Sequence, residues 1–241
     1  MSGHSKWAQI KRQKGATDAK KANTFARLAK VVTLAAKEGG GNPDMNFKLR
    51  LAMDQARAVN MPKDNIEKAI KRGTGELAGQ ALEELTYECF GPSGSAFIVD
   101  VVTDNRNRAA SEIKHIFSEN NGNLGNTNSV SWMFDKVGGI KATKPTDKNK
   151  EETELITIDA GAEDFEWLDD DTIWVYTKPT EVQKVKAELE NNRLTIMDSE
   201  IGYKAKETLS VDDKLRPALE KIYEDLDDNE DVQNFWSNMA V

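Results

Sequence analysis

The most chemically suggestive cluster in this chain is Asp104-Asn105-Arg106-Asn107-Arg108, which joins an apolar run at Phe97, Val99 and Val101 to a helical pattern at Ala109, Ile113, Ile116 and Phe117. At such a strand-to-helix junction the unpaired backbone N–H groups and the helix dipole favour an anion, and Arg106 and Arg108 would add two guanidinium groups suited to phosphate. A second arrangement fits equally well: a capped helix start whose arginines pair with carboxylates of the chain's own acidic half. A further group lies at the front of the chain, where Trp7 stands among Lys6, Lys11, Arg12 and Lys14, with His4 just upstream. A stacking ring within a ladder of cations suits a polymer of phosphates and bases.

Other spacings carry less chemistry. Gly122-Asn123-Leu124-Gly125 has the form of a GxxG backbone clamp but follows one helix and precedes a strand rather than joining two helices. Gly73-Thr74-Gly75 is a helix end and linker, and Asp169-Asp170-Asp171 lacks the spaced oxygens of a calcium loop, so it reads as a solvated turn. One cysteine, Cys89, and two distant histidines, His4 and His115, offer no disulfide framework, no zinc set and no nucleophile-base pair. No catalytic residue, metal or cofactor is expected.

The charge distribution points to the partner. Residues 1–37 hold nine Lys/Arg against one acid, Asp18, in a chain whose net charge is −8. Residues 1–75 carry 16 basic and 6 acidic side chains, or +10, which leaves −18 for the rest. Such an asymmetry implies a polyanion for the basic end, because Lys/Arg clusters release counterions on meeting phosphates. No apolar run is long enough to span a bilayer and the basic N-terminus lacks the apolar centre of a secretory signal, so a cytoplasmic protein with no membrane partner is expected.

The elements that position these groups follow from periodicity. From Asp18 onward, Phe25, Leu28, Ala29, Val32 and Ala36 form one helical stripe. At about 100° per residue, Lys20, Arg27, Lys30 and Lys37 fall on the opposite arc and Lys21 nearer the stripe. The nucleic-acid contacts expected are therefore His4, Lys6, Trp7, Lys11, Arg12, Lys14, Lys20, Lys21, Arg27, Lys30, Arg106 and Arg108. A second helix buries Leu49, Ala52, Ala56 and Val59, and a third begins after Pro62 and buries Ile66, Ala69 and Ile70; its Lys63, Lys68, Lys71 and Arg72 extend the positive field.

Past Glu76 the pattern turns to period two: a hairpin, the helix after Arg108, and a strand at Val130, Trp132 and Phe134. Lys136 to Gly139 reads as a hinge. Beyond it come a strand over 140–143, a helix from Glu151 whose Ile156, Thr157 and Ile158 suit a strand as well, strands over 165–168 and 172–177, a helix capped by Thr180 and Gln183, and a strand over 194–206. That βαββαβ order is ferredoxin-like. A final helix with Leu215, Leu219, Ile222 and Leu226 needs a sheet to cover. The expectation is an α+β protein of three domains: a basic arm and helical bundle at 1–76, a ββαβ domain at 77–135 completed by 207–241, and a ferredoxin-like domain at 136–206 inserted into the second. Its tryptophans other than Trp7 read as core anchors.

Ser2-Gly3-His4-Ser5-Lys6-Trp7, Met61-Pro62-Lys63-Asp64-Asn65-Ile66, Ile70 to Glu76, Gly91-Pro92, Thr103 to Arg108 and Gly122 to Gly125 together resemble the YebC-type family of probable transcriptional regulators, which includes the mitochondrial translational activator of cytochrome oxidase. The resemblance implies a three-domain α/β protein with an N-terminal helical domain, no known catalytic activity, and a role in gene expression, as a DNA-binding regulator or as a translation factor on the ribosome. Phe47 and Ala109 stand where the family commonly has proline and threonine. Partners expected are duplex DNA or ribosomal RNA, with ribosomal or transcription-machinery proteins beside them. Two other classes stay open: a phosphate-handling enzyme at Arg106 and Arg108, and a protein-interaction adaptor working through the acidic domains.

Overall fold

The computed structural model describes residues 18–79, 81–210, 212 and 214–240. They form an α+β fold with seven α-helices and two four-stranded sheets, divided into two compact units. Residues 18–127 with 212–235 belong to one unit, and residues 128–210 with 236–240 to the other.

In the first unit, three helices come first: α1 (Asp18–Gly39), α2 (Phe47–Ala58) and α3 (Lys63–Gly73). Their small apolar stripes meet in one core of Val32, Ala35, Ala36, Leu49, Ala52, Ala56, Met61, Ile66 and Ala69. Asn46 ties the first two together. Its side-chain oxygen accepts from the Leu49 N–H at 3.0 Å, capping α2, while its amide donates to the Ala35 and Gly40 carbonyls at 2.7 and 2.8 Å. The helix therefore starts at Phe47 without a proline there. Gly73 lets α3 touch α1: a Cβ at this position would lie 2.3 Å from the Thr33 carbonyl oxygen. Val59, expected inward, is 40% exposed.

A sheet of strands β1 (Glu83–Phe90), β2 (Ala96–Thr103), β3 (Asn123–Leu124) and β9 (Val232–Ser237), in the order β3-β1-β2-β9, lies in the same unit except for the last two residues of β9, with helices α4 (Arg106–Glu119) and α7 (Arg216–Asp228). β1 and β2 are the expected antiparallel hairpin, Leu85 facing Val101 and Cys89 facing Phe97. The tail's β9 joins this sheet. Phe97 packs edge-on against Phe117, 5.1 Å between ring centres, and 5.8 Å from Tyr223, so the apolar faces of β2, α4 and α7 share one core. Ala109 lies in it, 1% exposed, rather than beside an anion site. Cys89 is fully buried, and burial pushes its thiol pKa up.

The second unit contains β4 (Phe134–Thr143), α5 (Lys150–Asp159), β5 (Asp164–Trp167), β6 (Thr172–Thr177), α6 (Val182–Asn191) and β7 (Thr195–Ala205), with strand order β5-β6-β4-β7 and antiparallel pairing throughout. This is the ferredoxin-like order. A short parallel pair of β8 (Leu209–Ser210) and β10 (Met239–Ala240) completes it. Three expectations are corrected here. Residues 131–133 make a turn of 3-10 helix rather than a strand, and Trp132 is 67% exposed rather than a core anchor. Gly138 and Gly139 lie inside β4, where a Cβ would come within 2.1 Å of Val182 and 2.5 Å of Trp174; they are packing sites, not a hinge. Finally, α6 has no side-chain cap, whereas α5 has a full capping box between Asn149 and Glu152.

Candidate nucleic-acid interface

His4, Lys6, Trp7, Lys11, Arg12 and Lys14 lie outside the described residues, as does the side chain of Lys20. Lys21 is exposed on α1. The remaining cations of that helix have a destination that periodicity could not reveal. Their arc is covered by the turn between α7 and β9. Asn23 donates its side-chain amide to the Asp228 carbonyl at 3.0 Å, and Arg27 donates to the carbonyls of Asp227 and Val232 at 3.5 and 3.3 Å, with the Asp227 carboxylate 3.6 Å away. Lys30 donates to the Glu230 carbonyl at 3.0 Å and to the Asp231 carboxylate. Lys37 reaches the Leu82 carbonyl at 3.3 Å. Carbonyls ending α7 carry the negative end of its dipole, so cations are well placed against them.

Asp231 is the centre of this arrangement and only 1% exposed. One oxygen accepts from Lys30; the other accepts from Arg108 Nη2 at 2.8 Å and from the Thr103 hydroxyl at 2.9 Å. Burial alone would raise its pKa, but the hydrogen bonds from Lys30, Arg108 and Thr103 override that and hold it below the usual carboxylate value. Arg108 also donates to Asp104 at 2.9 Å, and the Asp231 bond is the first reason its own pKa is raised. Burial pulls Arg27 the other way, below the ordinary guanidinium value, against the field of Asp228.

The junction before α4 is therefore a capped, internally paired helix start, the second of the two arrangements its sequence allowed. Asn105 accepts the Arg108 N–H at 3.1 Å, Tyr87 donates to the Arg106 carbonyl at 3.3 Å, and Arg106 is the more exposed of the junction's two arginines. Arg27, Lys30 and Arg108, expected to meet phosphate, instead neutralise the chain's own acids. The sequence showed the acidic turn over 227–231 but not the face it would cover.

Where cations do stand open is α3. Lys68, Lys71 and Arg72 are exposed and make no ion pair among the described residues. At about 100° per residue they share an arc opposite Ile66 and Ala69. The aliphatic stem of Arg72 packs 3.5 Å from where a Gly79 Cβ would stand, so the linker after α3 braces it. The surface cations of α2 and the first cation of α3 are engaged: Lys48 with Glu38 at 2.8 Å, Arg57 with Asp54 at 3.1 Å, Lys63 with Glu67 at 3.5 Å, and Arg50 with the carbonyls of Pro43 and Asp44, both at 3.1 Å.

Residues 5–76 match the sequence profile described as the TACO1/YebC protein N-terminal domain, and residues 82–239 match that of the TACO1/YebC second and third domain. The chain belongs to the TACO1/YebC family. Among its relatives, a "Probable transcriptional regulatory protein" of Caldanaerobacter subterraneus subsp. tengcongensis is 47% identical over all of this chain and 99% of its own length. One of Syntrophobacter fumaroxidans with the same description is also 47% identical, over all of this chain and 96% of its own. The crystal structure of a conserved hypothetical protein, Aq1575 from Aquifex aeolicus, superposes with a TM-score of 0.84 at 37% identity, covering 92% of this chain and 91% of that one. Within the TACO1/YebC fold, then, Lys30, Thr103 and Arg108 form a polar clamp around the buried Asp231 carboxylate, and Lys68, Lys71 and Arg72 of α3, with Lys21 of α1, are cations of the described basic segment left open.

Proposed function

We propose that this chain is a non-enzymatic regulator of gene expression that grips a nucleic acid by its backbone, in the cytoplasm, through the arm and the outward face of α3. The observation that carries this reading is the open, unpaired triad Lys68, Lys71 and Arg72 on the same +10 segment as the arm. The contacts assigned are His4, Lys6, Trp7, Lys11, Arg12, Lys14, Lys20 and Lys21 with that triad, and Arg106 at the margin. The names of the relatives support a transcriptional role. The same surface suits structured RNA, and a translation factor on the ribosome is the second reading: α3 begins with Asp64 and Glu67 on its exposed side, which disfavours insertion into a major groove lined by base edges and phosphates. Phosphate contacts grip; they do not by themselves choose a sequence.

The three-domain partition at 1–76, 77–135 with 207–241, and 136–206 belongs to the same proposal; the profile boundary at residue 76 and the seating of β9 beside β2 support it. One experiment separates the readings. Retention on duplex DNA is compared with co-sedimentation with ribosomes at equal salt, using the full chain and a variant lacking residues 1–16. The transcriptional reading predicts retention on DNA that the deletion abolishes. Co-sedimentation alone moves the assignment to translation, and failure of both removes the nucleic-acid reading.

A further inference from the structure

Helix α5 of the ferredoxin-like sheet is turned inside out with respect to its side chains. It buries Thr153 and Thr157, both 0% exposed, while Leu155 and Ile158 point outward at 62% and 54% exposed. The buried threonines incur little polar penalty, because their hydroxyls donate to the carbonyls of Asn149 and Thr153, each at 2.8 Å. Ile156 and Ala160 contribute the apolar contact with the sheet. An ordinary amphipathic helix would place its large aliphatic residues inward and its threonines outward.

The surroundings of the outward pair say what would cover it. At about 100° per residue, Glu151, Leu155, Ile158 and Asp159 share one arc. Glu151 and Asp159 are exposed and make no ion pair among the described residues. The helix's one cation, Lys150, is drawn away to Asp170 at 3.1 Å and to the face of Trp167, 5.0 Å from the ring centre. The patch is thus aliphatic with a carboxylate rim. A nucleic acid would meet like charge there, and so would a second copy of this chain presenting the same patch.

We propose that this face of α5 docks a protein partner that presents an apolar ridge flanked by lysine or arginine. It is independent of the nucleic-acid grip and lies on a different element. The test uses the full chain and a fluorescein-labelled helical peptide with leucines along one face and lysines flanking them; an otherwise identical peptide with glutamate in place of lysine is the control. The lysine peptide should bind and the glutamate peptide should not. Leu155→Ser/Ile158→Ser and, separately, Glu151→Lys/Asp159→Lys should each weaken binding about tenfold or more. Circular dichroism melts check that the variants are folded, and Leu155→Lys serves if the double serine variant is not. Failure of the lysine peptide to bind overturns the proposal, as does binding unchanged in the Leu155 and Ile158 variant, which would mark mere attraction to an acidic surface. Concentration-dependent dimerisation in sedimentation, lost on the same substitutions, would also overturn it by making a second copy the occupant.

Discussion

Helices α1 and α3 are neighbours in one bundle and both carry cations, yet their charges do opposite work. On α1, Arg27 and Lys30 are turned against carbonyls and carboxylates of the 227–232 turn and are partly buried, Lys30 with 18% of its side chain exposed. On α3, Lys68, Lys71 and Arg72 remain in solvent. The first set holds the bundle to the sheet; the second is free to meet an external anion. Counting basic residues along a sequence sums the two and overstates the surface available to phosphate.

The sharpest way to break this contrast is to empty its centre. Asp231→Ala leaves Lys30, Arg108 and Thr103 without their shared acceptor, and losing one partner of a buried charge cluster costs about 3 kcal/mol or more. Urea unfolding should show that loss. Lys68→Ala, Lys71→Ala and Arg72→Ala should each stay within about 0.5 kcal/mol of the parent, as exposed positions do. Equal losses at both sites would erase the distinction.

Acid offers a milder route to the same point. The folded pKa of Asp231 is depressed, so its contribution is fully present above the unfolded carboxylate value of about 3.9 and is lost as pH falls through the folded pKa beneath it. Thermal melts between pH 6 and pH 3, values chosen to bracket about 3.9, should decline toward the acid end. Asp231→Asn should flatten that decline. A decline of unchanged steepness in the variant would assign the acid sensitivity elsewhere.

A smaller effect separates charge from packing on α1. Lys30→Met keeps the aliphatic stem and removes one of the three side-chain donors to the buried carboxylate, so a loss of about 1–2 kcal/mol is expected by urea unfolding, less than for Asp231→Ala. A loss as large as the Asp231 variant's would mean that Lys30, rather than the carboxylate, organises the clamp.

How much of this was legible in the residues varies with the physics behind each part. The apolar stripe of α1, the hairpin and the βαββαβ order followed from periodicity, which is a local signal. The glycines of β4 were misread because a close approach by Trp174 and Val182 leaves no trace in the neighbouring sequence. Periodicity also placed Arg27 and Lys30 on one face correctly, but which segment 200 residues later would cover that face is a tertiary fact. For Arg108 the residues allowed phosphate or carboxylate, and Asp104 at i−4 was a visible hint toward the latter. Helix α5 drew attention for its β-branched run; that the same run leaves Ile158 outward beside Leu155 required coordinates.

The most direct test of the account is the salt dependence of nucleic-acid binding. Log affinity is measured against log salt for the parent, for Lys68→Ala/Lys71→Ala/Arg72→Ala and for Lys30→Met, with duplex DNA and with ribosomal RNA fragments. Each released phosphate contact contributes about 0.9 to the slope on duplex DNA, so the α3 variant should lose about 2–3 from its slope and Lys30→Met essentially nothing. A slope that falls for Lys30→Met and holds for the α3 variant would contradict the account.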